Sequence, residues 1–74
     1  MKSIQDIKIG SRIIYRSRNV EVLPSYGRVN KISNEQFRIV WHKDINFKIE
    51  DYIGKYSPAM ISMWINNNYI ELIK

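Results

Sequence analysis

One run constrains the fold more than any other: Tyr26-Gly-Arg-Val-Asn-Lys-Ile-Ser33, followed by Gln36-Phe-Arg-Ile-Val-Trp41. Apolar and polar residues alternate through both segments, and the polar Asn34-Glu35 between them reads as a turn. Period two places Phe37, Ile39 and Trp41 on one face and Arg38, Val40 and His42 on the other. With Gly10-Ser-Arg-Ile-Ile-Tyr15 ahead of it, the run predicts the opening of a small all-β barrel.

The remaining segments extend that reading. Residues 1–10 form a lead-in whose Ile4, Ile7 and Ile9 cover an open end of the barrel, and Gly10 breaks the pattern. Strand one is expected over Arg12 to Ser17, where Ile13 and Tyr15 alternate with Arg12, Ile14 and Arg16, and Ile14 leaves open which face turns inward. Residues 17–26 are a loop carrying the short apolar piece Val20-Glu21-Val22-Leu23, ended by the turn chemistry of Pro24-Ser25. Gly27 permits a bulge or a sharp entry where a side chain would clash. Strand two covers 28–33 and strand three 36–41. Lys43-Asp44 turns into a fourth strand at Ile45-Asn46-Phe47-Lys48-Ile49, because alternation resumes there, and Glu50 to Tyr56 reads as a loop with Gly54.

Ser57-Pro58 starts a helix, since Ser caps free amides and Pro fits the first helical position. Met60/Trp64 and Ile61/Ile65 stand four apart and form one apolar face. Asn66 to Asn68 stops the helix, because Asn tolerates the left-handed conformation. Tyr69 to Lys74 is the last strand. The prediction is thus one domain over 1–74, all-β, a five-stranded barrel with a short helix before the last strand.

Composition sets the bounds. A chain of 74 residues buries only about 60% of its unfolded surface. It has no cysteine, so neither disulfides nor thiolate metal sites supplement the core. Two Trp, five Tyr and two Phe carry that load instead. Met1 to Asp6 lacks the apolar stretch of a signal peptide, and no apolar run approaches the ~20 residues of a membrane helix. The expectation is a soluble cytoplasmic protein without membrane contact.

Charge is uneven. Residues 1–43 hold nine Lys/Arg and three Asp/Glu, a net of +6, whereas residues 44–74 hold three and four, a net of −1. If the apolar alternates face inward, Arg12, Arg16, Arg28 and Arg38 gather on one outer surface, flanked by Arg18 and Lys31. Arg forks donate paired hydrogen bonds that match phosphate oxygens, so this surface suits nucleic acid. Four phosphate contacts predict a salt slope of about −3.6 on duplex DNA. The plain alternative is a solvated charged face that guards strand edges. A second candidate is an aromatic end formed by Tyr15, Tyr26, Trp41, Tyr52 and Tyr56. Such rings receive a peptide or a cation, stack nucleobases, or simply fill the core.

Catalysis finds no support. His42 adjoins Lys43-Asp44, yet no nucleophile stands near it. Glu50-Asp51 lacks the spacing of a metal site, and there is no Gly-rich phosphate loop. The expectation is a non-enzymatic binding module with no cofactor.

Gly10-Ser-Arg-Ile13, Tyr26-Gly-Arg-Val29 with Ile32, Phe37-Arg-Ile-Val-Trp41, Tyr56-Ser-Pro58 and Ile70-Glu-Leu-Ile73 carry a resemblance. In this order they resemble the SH3-like small barrels, which include Tudor, KOW and chromo-type domains. The resemblance covers roughly residues 9–74 and implies binding of nucleic acid, peptides or modified side chains. The chain departs from the pattern in two places: His42-Lys43-Asp44 replaces the usual acidic-Gly turn, and the helix exceeds one turn. The first departure argues against an acidic methyl-lysine pocket. The Ile- and Asn-rich composition, with Ala59 the sole alanine, is the bias of AT-rich genomes and common in phages and mobile elements. The alternative function is therefore a phage or mobile-element accessory docking on a host protein through the aromatic end. Oligomeric state is left open.

Overall fold

A computed structural model describes residues 3–18 and 21–73. The Met1-Lys2 start of the lead-in, Val20 of the apolar loop piece and Lys74 of the last strand lie outside the described residues. The elements are a 3₁₀ turn at Ile4–Asp6, β1 (Arg12–Tyr15), β2 (Ser25–Ile32), β3 (Phe37–His42), β4 (Glu50–Tyr56), α1 (Pro58–Asn66) and β5 (Ile70–Ile73). All strand pairs are antiparallel, in the order β4-β3-β2-β1-β5. The all-β class and the helix before the last strand are those expected. Closure differs: among the described residues no ladder joins β4 to β5, so the sheet stays open between them.

The inner face is built by alternation. Ile13 of β1, Val29 of β2, and Phe37, Ile39 and Trp41 of β3 are buried together. Over them lie Ile61, Trp64 and Ile65 of α1, Ile70 of β5 and Ile7 of the lead-in. Helix α1 forms as its sequence dictates. The Ser57 hydroxyl accepts from the Met60 amide at 3.2 Å, Pro58 follows as the first helical residue, and the chain turns left-handed at Asn68 (φ 60°). Its buried stripe is Ile61, Trp64 and Ile65, while Met60 and Met63 face solvent.

Two glycines make close approaches possible. A Cβ on Gly27 would stand 2.7 Å from Ile39 Cγ2 and 2.8 Å from the Trp41 ring. The bare backbone of β2 therefore lets the Trp41 indole lie across it. The clash expected at Gly27 is real, but the bulge falls later, between Val29 and Lys31. Gly54 serves Tyr56 the same way: any Cβ there would collide with the Tyr56 ring.

Two expectations are corrected. The fourth strand is Glu50–Tyr56, not 45–49. Residues 45–49 cannot run as a strand because the Asp44 carboxylate takes the Lys48 and Ile49 amides and Phe47 is left-handed (φ 59°). In the lead-in, Ile7 is buried and Ile4 packs on the core, but Ile9 is 67% exposed.

Ile39 lies at the centre of this thin core with no exposed surface. Ile39→Ala should cost about 2–5 kcal/mol, the range for emptying a buried aliphatic site. Ile9→Ala should stay within about 0.5 kcal/mol. Urea denaturation followed by Trp fluorescence reads both values.

Candidate nucleic-acid interface

The outer face of the sheet carries two cationic rows. In the first, Arg12 stands opposite Arg28, and Arg28 opposite Val40. In the second, Lys31 stands opposite Arg38, and Arg38 opposite Lys55. The bulge at Asn30 brings Lys31 onto this face, which strict alternation from Arg28 would deny it. Among the described residues no carboxylate lies within 4 Å of these five cations; the described salt bridge joins Arg16 to Glu71 at 2.7 Å. Directly opposed like charges are destabilising, so both rows are held at a cost in the free protein.

The loop between β3 and β4 organises the first row. Asp44 Oδ1 accepts from the Lys48 amide at 3.0 Å and from the Ile49 amide at 2.9 Å. The Lys43 amide donates to the Ile49 carbonyl at 2.8 Å and closes the loop. This clamp lays Phe47 on the outer face, against Tyr26 (6.4 Å between ring centroids) and His42 (5.1 Å). The Arg12 and Arg28 guanidinium carbons sit 5.7 and 5.5 Å from the Phe47 centroid. One ring thus steers two guanidinium groups by cation–π attraction. His42 faces outward, as the alternation demands, but Phe47 covers it and leaves it 8% exposed. Its Nδ1 and the Arg38 Nε are buried without a hydrogen-bond partner among the described residues.

Two expected members stand elsewhere. Arg16 is held by Glu71 on β5. Arg18 lies 5.5 Å over the Tyr69 ring, and Tyr69 packs on Tyr15. Lys55 also joins the outer face, opposite Arg38, a place that the loop expected over Glu50 to Tyr56 does not give it.

The aromatic residues divide between the two faces. Tyr26 belongs to the outer face with Phe47. Tyr15, Trp41, Tyr52 and Tyr56 converge on the inner side, where with Ser25 and Trp64 they line a pocket of about 190 Å³. Trp41 Nε1 donates to the Tyr56 hydroxyl at 2.7 Å. Trp64 meets Tyr56 at 4.9 Å and Tyr15 at 5.0 Å, both edge to face. Partial burial, then the nearby Tyr56, hold the Tyr52 phenol above its ordinary value. Trp64 is a wall the sequence reading assigned only to the helix face; its i,i+4 place beside Met60 said nothing of what it would meet. The pocket lining has no carboxylate and no Lys or Arg.

No family model, curated protein or solved structure matches the chain. Among the described residues no helix is long and apolar enough to cross a membrane.

The clamp carries a pH signature. The Ile49 amide above all, then the Lys48 amide, holds the Asp44 carboxyl below its ordinary value of 3.8. A carboxyl lowered on folding stabilises the fold above its unfolded pKa, and that contribution fades as pH falls through the folded one. The Lys48 and Ile49 amide resonances should therefore titrate with a midpoint below 3.8, and Asp44→Asn should abolish that step. A midpoint at or above the ordinary value would dissolve the clamp.

Proposed function

We propose that this protein is a non-enzymatic nucleic-acid-binding module of the SH3-like barrel type that grips phosphates with its outer sheet face. One observation carries the reading: Arg12, Arg28, Lys31, Arg38 and Lys55 share a face on directly opposed strand positions, with no described carboxylate in pairing distance. A merely solubilising surface gains nothing from stacking like charges opposite one another, whereas a polyanion relieves their repulsion and releases counterions. Phe47 adds preorganisation, because guanidinium groups lying on a ring lose less freedom when they meet phosphate. Cations that meet phosphate carry no sequence information, so binding through them is sequence-tolerant.

Fluorescence anisotropy of labelled duplex DNA, single-stranded DNA and RNA across a salt series tests the reading. Five contacts predict a slope of log affinity on log salt of about −4.5 for duplex DNA, with affinity near 10⁻⁴–10⁻⁶ M at physiological salt. Arg28→Ala and Arg38→Ala should each flatten the slope by about 1, equally across sequences. Arg28→Ala should leave stability within about 0.5 kcal/mol, since relief of the Arg12 repulsion offsets the lost ring contact. No binding at low salt would reduce the charge to a solubilising role.

The inner pocket supports a second reading, a docking site for a side chain of a protein partner, host or phage. Its observation is the convergence of Tyr15, Trp41, Tyr52 and Tyr56 with Trp64 around one opening. Tyr52 is 55% exposed, so Tyr52→Ala spares the core. On this second reading that variant weakens partner capture and leaves the anisotropy titrations unchanged.

A further inference from the structure

Strand β4 is an edge of the sheet: β3 covers one side, and no described strand covers the other. Its seven residues, Glu50-Asp-Tyr-Ile-Gly-Lys-Tyr56, offer a row of backbone donors and acceptors free to pair. Proteins usually blunt such an edge with proline, lysine or an inward charge. Here no proline interrupts it, the bulge in its pairing with β3 falls at Asp51 near its start, Ile53 is 56% exposed at its midpoint, and its lysine is matched by an aspartate an equal distance from that midpoint.

We infer that β4 is a self-association edge, pairing antiparallel with β4 of a second copy of this chain about a two-fold axis at Ile53. In that register Ile53 meets Ile53 of the second copy, Asp51 meets Lys55, and Lys55 meets Asp51. Both ion pairs flank an apolar contact that continues inward to Val40, the cross-strand neighbour of Ile53. Tyr52 faces Gly54, over which Tyr56 already folds, so these inner-face positions add no cross-strand side-chain contact. Lys55, a guard against foreign strands, is thus complementary to the chain's own edge. The register is specific. A slip that moves each pairing by two residues sets Asp51 or Lys55 against Ile53 and loses both ion pairs. An odd slip would turn one outer face over.

A two-fold interface of this kind is isologous, each residue meeting its counterpart's partner. It joins two five-stranded sheets into one continuous sheet and leaves both outer faces on the same side. The inference stands on the edge and its charge pattern, independently of whether those faces hold nucleic acid.

Size-exclusion chromatography with light scattering, run on the full chain up to millimolar concentration, tests it. The expected result is twice the chain mass, falling to the single mass for Asp51→Lys and for Lys55→Asp, with the double swap D51K/K55D restoring the dimer. Both positions are exposed, and far-UV circular dichroism verifies that each variant is folded. For any variant that does not fold, mixed labelled and unlabelled wild-type chains replace it: an intermolecular contact between the two Ile53 side chains supports the pairing. A wild-type monomer at every concentration overturns the inference. So does a dimer indifferent to both single changes, or one lacking the Ile53 contact.

Discussion

The Trp41 indole lying across Gly27 is the contact on which the other features depend. Close packing of a large ring on bare backbone fixes which face of β3 turns inward, and period two then dictates the rest. Once Trp41 and Ile39 are inside, Arg38 and His42 must be outside. The indole N–H, which needs a partner when buried, finds the Tyr56 hydroxyl at 2.7 Å. Tyr56 reaches it only by folding over Gly54. One buried ring thereby ties β2, β3 and β4 together, walls the inner pocket and sets the cationic rows on the opposite side. For a domain with so thin a core, aromatic contacts of this kind replace the bulk that larger proteins use.

The two faces answer different physical demands. Inside, ten apolar residues form one buried cluster, and the Trp41 indole N–H within it is paired with Tyr56. Outside, Phe47 lies on the sheet as a satellite core of its own, with Tyr26 and His42 beneath it and two arginines at its ring. The loop that delivers Phe47 is held by hydrogen bonds to one carboxylate rather than by burial. Stability and presentation of charge are therefore separable: the inner face holds the fold, and the Asp44 clamp holds the geometry of Arg12 and Arg28.

Much of this was legible in the residues. Alternation in β1, β2 and β3 announced the inner face, and Ser57-Pro58 and the asparagine run bracketed α1. The fourth strand was not legible. Residues 45–49 alternate as a strand does, but Asp44 competes for the local amides, a turn mechanism that periodicity does not register. Glu50–Tyr56 hides its strand character because an edge strand with few buried side chains needs no apolar alternation, and Gly54 there admits Tyr56 rather than marking a loop. That exchange explains the missed Lys55 and the reassignment of Phe47. In the expected site, Arg12, Arg28, Lys31 and Arg38 come together, whereas Arg16 and Arg18 are drawn off by Glu71 and Tyr69. Those last contacts join segments about fifty residues apart, which local pattern cannot show. Tyr26 parts from the other rings because it falls on the outward register, a consequence of Gly27 pointing in.

We propose that the two faces differ in function, with the outer one meeting phosphate. A single titration of ¹⁵N-labelled protein with a short duplex, followed by NMR, tests it most directly, because both tryptophans report from the inner pocket. Salt-sensitive shifts are expected at the Arg12, Arg28, Lys31, Arg38 and Lys55 amides, while the Trp41 and Trp64 indole N–H signals stay in place. Movement of the indole signals with a silent outer face would contradict it and make the aromatic pocket the working surface.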